Sequence, residues 1–302
     1  MAWGQGFGLQ PPTLGVVYNP ATRAIQQMNG IPGSATFGGV LLADVDSAVL
    51  APDAAAALVG RGADKFLVSA LGTANPLSTP VPADANTVAW SADGSQAVLA
   101  TSGAVLVFQQ AAGQFQLLKQ FAVDLTGVVS AAALDPDGAA ALLVVASANA
   151  GGVYRISLDA GSVVSVLPLA GRLAWSQARS GGIFVMEADI GLVHRLLPSP
   201  GGGVQITSFP LAARDGSNFT AIFSSADGLR VAVTDSGTQS VLLYASGGDF
   251  LTSLDLDFVP SQAEAAGDRF SVLLAGSAGQ PFFLLDFVQP RAFFVPAVSA
   301  NQ

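Results

Sequence analysis

At 302 residues, with 51% hydrophobic and only 11% charged, the chain can bury a large core but is poor in the charge that keeps surfaces apart. Its net charge of −9, from 12 Lys and Arg against 21 Asp and Glu, offers no cationic surface for phosphates and argues against a nucleic-acid partner. Cysteine is absent, which removes disulfides and thiolate chemistry, and the mean hydropathy of +0.52 is spread over runs such as Ala139 to Ala146, well short of the ~18 apolar residues a spanning helix needs.

Residues 1–13 (MAWGQGFGLQPPT) show neither the basic n-region nor the apolar h-region of a signal peptide and read as an N-terminal extension. Val16-Val17-Tyr18, a turn at Asn19 to Thr22 and Ile25 to Met28 then form a hairpin. It matches the outer pair of strands in the repeat described next, with no inner pair before it. Thr36 to Leu42 stands at the crossover into the first full unit.

From there one turn recurs: Asp53 in LAPDAA, Asp93 in WSADGS, Asp137 in LDPDGA, Ser180 in SQARSGG, Asp227 in SSADGL and Asp268 in AAGDRF, at spacings of 40, 44, 43, 47 and 41 residues. Short apolar strands flank it, for instance Val88 to Trp90 before and Ala97 to Ala100 after, and Asp-Gly between two such strands is a strong hairpin signal. A second hairpin follows each time, as in Val105 to Phe108 with Phe115 to Lys119, and Phe282 to Leu285 with Ala292 to Val295. Four antiparallel strands in about 40 to 45 residues make one blade of a β-propeller. The expected fold is therefore all-β: six complete four-stranded blades plus the N-terminal hairpin, closing as six blades or as seven with a partial one. A single propeller domain spans residues 14–298, followed by a tail at 299–302. The N-terminal strands, placed in an outer blade position, should lie beside the last blade and remove its exposed edge.

Through its period and its S-x-D-G turns the chain resembles the broad class of WD-repeat-like, NHL-like and YVTN-like propellers. It carries no Gly-His…Trp-Asp signature, no YVTN tetrapeptide and no sialidase box. The resemblance implies a fold and binding on the ring's faces, with no substrate attached.

No catalytic motif stands out. There is no G-x-S-x-G elbow and no phosphate loop, and Gly4 to Gly8 has the wrong spacing for one. Only Trp3, Trp90 and Trp175 are present, too few for the stacked tryptophans of a quinoprotein. His194 is the sole histidine, and it lines up with Tyr18, Phe108, Tyr154 and Tyr244, so it reads as the occupant of an aromatic slot. Carboxylate pairs remain: Asp44 with Asp46, Glu187 with Asp189, Asp255 with Asp257. Asp255 and Asp257 alternate with Leu254, Leu256 and Phe258 as a solvated face. Asp44 and Asp46 precede an innermost strand and are the candidate ligands for a hard cation such as Ca²⁺, against a simpler role in a turn. Asn218-Phe219-Thr220 fits a glycosylation sequon.

The expected function is a non-enzymatic binding or assembly module acting through the propeller's faces or rim on a protein partner, on a glycan, or on copies of itself. The alternative is a metal-assisted hydrolase or lyase with carboxylates at the central channel, which requires at least three of Asp44, Asp46, Glu187, Asp189, Asp235 and Asp268 to converge. Low lysine content leans toward an extracytoplasmic location, with the cytosol as the other reading.

Overall fold

The computed structural model describes residues 12–31, 33–124, 127–135, 137–147, 151–178, 182–199, 203–260, 262–265, 271–275 and 282–296. They form seven antiparallel sheets, six of four strands and one of three, with no helix among the described residues. The three-stranded N-terminal sheet holds β1 (Thr13–Asn19), β2 (Ala24–Asn29) and β3 (Thr36–Leu42). The first full blade is β4 (Ser47–Leu50), β5 (Ala56–Arg61), β6 (Asp64–Ser69) and β7 (Leu77–Val81). The second is β8 (Thr87–Trp90), β9 (Gln96–Ala100), β10 (Ala104–Ala111) and β11 (Gln114–Ala122). The third is β12 (Val128–Leu134), β13 (Ala140–Ala146), β14 (Gly151–Ser157) and β15 (Val163–Leu169). The fourth is β16 (Leu173–Gln177), β17 (Ile183–Glu187), β18 (Leu192–Pro198) and β19 (Val204–Pro210). The fifth is β20 (Phe219–Ser224), β21 (Arg230–Asp235), β22 (Ser240–Ala245) and β23 (Phe250–Asp255). The sixth is β24 (Gln262–Ala265), β25 (Ser271–Ala275), β26 (Phe282–Asp286) and β27 (Arg291–Val295).

Burial falls outward along each blade. The second strands β13 and β17 are buried at every position but the last, whereas the outermost β11 and β15 are mostly open to solvent. A second strand has a neighbouring blade on both faces, so its sequence runs apolar without alternation, as in Ala141 to Val145. Clusters of buried side chains fill the gaps between consecutive blades. Trp90, Leu99 and Phe108 of the second blade pack on Leu58 and Leu67 of the first, and Phe184 and Met186 of the fourth on Ile222, Val233 and Tyr244 of the fifth. Each such fully buried large side chain contributes about 1.5–3 kcal/mol.

The recurring inner turn is held as its residues dictate. The carboxylates of Asp53, Asp93, Asp137 and Asp227 accept the N–H two residues on, at 2.9, 3.1, 3.0 and 3.0 Å. The next residue is left-handed at φ 69, 69 and 68° in Gly94, Gly138 and Gly228, and at 56° in Ala54, the one position of the four without glycine. Ser180 and Asp268 lie outside the described residues.

The N-terminal sheet corrects the sequence reading in one respect. In complete blades the residue after the outermost strand donates its N–H to the turn between the second and third strands: Val123 to Gly103, Leu211 to Gly191, Leu256 to Gln239. Val45 donates in the same way to Arg23, between β1 and β2. The hairpin β1-β2 therefore corresponds to second and third strands, not third and fourth, and Thr36–Leu42 is the outermost strand; the innermost position has no strand among the described residues. Tyr18 accordingly leaves the aromatic series and packs on Ala57 and Val59 of the first blade. The expected closure is present. Val17 and Met28 share a buried cluster with Leu284 and Val295 of the last blade, so the small sheet fills the space between the last and first blades.

Candidate functional site

Four of the candidate carboxylates, Asp46, Glu187, Asp189 and Asp235, turn out to be staples that tie blades together. In the first blade Asp46, on the crossover, accepts the N–H of Gly62 in the turn between second and third strands at 2.6 Å and pairs with Arg23 at 2.5 Å. In the second, Asp84 accepts the N–H of Ser102 at 3.1 Å. The polarity reverses in later blades. Glu187 and Asp189 in the fourth reach back to the N–H groups of Ala170 and Arg172, at 2.9 and 2.8 Å, and Asp235 in the fifth to that of Asn218 at 2.7 Å. Each bond spans 16 to 18 residues and fixes the path from one blade to the next.

In four of these carboxylates the bonds favour the ionised form. The N–H of Gly62, with Arg23, lowers the pKa of Asp46; the N–H and hydroxyl of Ser102 do so for Asp84; the side chain and N–H of Arg172 do so for Asp189. For Asp235, burial pushes upward, but hydrogen bonds from Ser217, Asn218 and Thr238 outweigh it and the net shift is down. Asp44 is exposed in a left-handed turn at φ 56°. Both oxygens of Asp46 are already engaged, and among the described residues no three His, Asp or Glu side chains gather into a cation-binding group. Asp268 lies outside the described residues. Asp255 and Asp257 are exposed, while Leu254, Leu256 and Phe258 between and beside them pack inward. In the sequon, Asn218 is held from both ends of its amide, donating to Ser236 Oγ at 2.8 Å and accepting from Arg172 at 3.2 Å.

A buried ion pair sits at the inner turn of the third blade. Asp135 Oδ2 meets Arg155 Nη2 at 2.7 Å, with the Asp135 side chain 1% exposed. Burial raises the pKa of Asp135 against the pull of Arg155, and Asp135 Oδ1 has no hydrogen-bond partner among the described residues.

His194 does occupy a buried position on a third strand, opposite Val185, which packs against the third blade. Sequence reasoning missed its two partners. Nε2 lies 2.9 Å from Glu187 Oε1, and Nδ1 lies 2.8 Å from the hydroxyl of Ser208, which His194 faces across the β18-β19 ladder. Glu187 is two residues beyond Val185 on β17, so the pleat puts all three side chains on one face of the sheet. His194 and Glu187 are nearly dry, with side chains 7% and 12% exposed, and Ser208 is open to solvent.

The rim is the other unusual surface. Every outermost strand exposes a large apolar side chain: Val40, Leu77, Leu118, Val164, Ile206, Leu251 and Phe294, one per sheet. The only charged residues on those seven strands are Lys119, Asp255 and Arg291. Outer edges in natural sheets are usually blunted by charge. Here Pro80, Pro168 and Pro210 interrupt hydrogen bonding at three edges and leave the apolar side chains in place. No helix of the described residues is long and apolar enough to cross a membrane.

No protein-family model and no curated protein matches the chain. Solved structures do. A functionally unknown protein from Desulfotomaculum acetoxidans superposes with a TM-score of 0.66 at 13% identity, covering 96% of both chains. A protein from Lactobacillus plantarum gives 0.65 at 16% identity, covering 95% of both. The β-propeller domain of Cps50 (Swd1) from Myceliophteria thermophila gives 0.58 at 10% identity, over 86% of this chain and 87% of that one. At these identities the likeness is one of fold, and the chain is a β-propeller of six complete blades with no specific family attached.

Proposed function

We propose that the protein is a binding or assembly module that acts through its rim, in an extracytoplasmic setting, with a second copy of itself as the first partner to test. The observation that supports this reading is the unbroken series of exposed apolar side chains on all seven outermost strands with three charges among them. A blade already buries its inward faces against its neighbours, so these side chains gain nothing from the fold and lose nothing when covered. Burying one of them on association is worth up to about 1.5–3 kcal/mol before the cost of ordering. Leu118 and Val164 lie on adjacent blades and form the natural target.

The test is light scattering across a dilution series for the natural chain and for a Leu118→Lys, Val164→Lys variant. The natural chain should exceed monomer mass and dissociate on dilution, and the variant should dissociate at least tenfold more readily. A chain that is monomeric at all concentrations, with mass and solubility untouched by the two lysines, would remove the rim reading.

A further inference from the structure

We propose that Ser208 is a nucleophile that accepts an acyl group from esters, with His194 as its base and Glu187 as the residue that positions that base. The inference does not depend on the rim reading, since a monomeric chain would carry it equally.

The hydrogen-bond polarity carries the argument. A carboxylate can only accept, so Glu187 Oε1 at 2.9 Å calls for a proton on His194 Nε2. In the neutral ring this leaves the lone pair on Nδ1, and the Ser208 hydroxyl at 2.8 Å is then the donor to it. Glu187 is itself pinned, because its other oxygen accepts the N–H of Ala170 at 2.9 Å. The carboxylate therefore fixes both the tautomer and the ring plane, and it faces the positive charge that appears on the imidazole when Ser208 loses its proton. A base and its orienting group that are nearly dry, next to a hydroxyl that solvent reaches, is the division such a reaction requires.

In the reaction Ser208 Oγ bonds to the carbonyl carbon of the ester as its proton passes to His194 Nδ1. Collapse of the tetrahedral adduct breaks the bond to the alkoxide, which leaves with that proton. The products are acyl-Ser208 and an alcohol, and no oxidant or cofactor is consumed. Ser208 stands on an outermost strand, so the site is read as an acceptor of one acyl group and not as a hydrolase pocket.

The chain supplies its own control. Ser165 is exposed on β15 opposite Tyr154, as Ser208 is exposed opposite His194. The full chain is treated with an alkyl fluorophosphonate, whose phosphorus takes the place of the carbonyl carbon and whose fluoride leaves, and adducts are mapped by peptide mass spectrometry. Ser208 should label roughly 100-fold faster than Ser165, the lower range of general-base assistance. Ser208→Ala should lose that adduct, and His194→Phe should bring Ser208 down to the rate of Ser165 while the far-ultraviolet circular dichroism of the folded chain is retained. Because His194 is the only histidine, its ¹⁵N resonances report the tautomer without assignment, and should show Nε2–H in the natural chain. Labelling of Ser208 no faster than Ser165, labelling that survives His194→Phe, or a ring protonated at Nδ1 would each overturn the proposal. Should His194→Phe fail to fold, the tautomer of the natural chain and the labelling of Ser208 against Ser165 decide it.

Discussion

The carboxylate of Asp53 lies against the backbone of Gly94, so close that a β-carbon on Gly94 would stand 2.7 Å from Asp53 Oδ1. The same holds one blade on, where a β-carbon on Gly138 would meet Gln96 Oε1 at 3.2 Å. The inner turns of the first three blades thus lie in close succession, and glycine serves both the left-handed backbone and the close approach.

Gly94→Ala should therefore be destabilising on two counts, by about 1–3 kcal/mol in urea unfolding. Ala54→Gly works in the opposite sense: the turn at Ala54 carries a β-carbon at φ 56°, and removing it should raise stability by about 0.5–1 kcal/mol.

The Asp235 staple predicts a pH dependence with a definite sign. Its pKa is lowered in the folded chain from an ordinary 3.8, so the staple stabilises fully above that value and is lost as pH falls through the lower folded one. Asp235→Asn should cost about 2 kcal/mol at pH 7. The gap between natural and variant chains, followed by urea midpoints, should stay level down to about pH 5 and close below 3.8. A gap that is constant through acid would show that the carboxylate's charge contributes nothing.

Asp135 behaves oppositely. Burial raises its pKa, so its protonated form is the one the fold favours, and ionisation costs stability as pH rises. Arg155→Met should leave that charge uncompensated at a cost of about 3 kcal/mol at pH 7, with the deficit shrinking on acidification; adding Asp135→Leu should restore most of it. A double-mutant cycle read by calorimetry checks all three statements.

At the join between the two ends of the chain, Met28 is fully buried with Val17, Leu284 and Val295. Met28→Ala should cost about 2–5 kcal/mol. Hydrogen exchange should then quicken first in β1, β2, β26 and β27, and a loss of protection spread evenly over all blades would contradict a local role.

The period and the inner turns were legible because each is set by neighbouring residues: Asp93 and Gly94 make their turn by themselves, and so do Asp137 with Gly138 and Asp227 with Gly228. The order of strands in the N-terminal sheet was not. β3 carries Gly38-Gly39 and its ladder with β2 shifts register at Gln26, so its sequence lacks the alternation that marks an outer strand elsewhere. Without it the hairpin before it was placed one strand too far out. The partners of His194 were hidden for another reason. Ser208 is an ordinary serine on an outer strand, and only the pairing of β18 with β19 brings it opposite the ring. The staples, too, join residues 16 to 18 apart, a distance at which nothing in the sequence distinguishes an acceptor of backbone N–H groups from a ligand or a general acid.

Among the described residues no strand is shared between the two ends of the chain: β1 pairs only with β2, and β27 only with β26. Many rings could be imagined in which a borrowed strand rivets the ends together, so that tension on the termini shears a whole ladder of hydrogen bonds at once. Among the described residues the ends meet by contact of side chains, with Phe293 resting 3.3 Å from where a β-carbon on Gly33 would be. Pulled apart at β1 and β27, such a contact would meet the load in peel and not in shear. It would open as a clasp does, at one place and under low force, and each blade would remain folded while the circle became an arc.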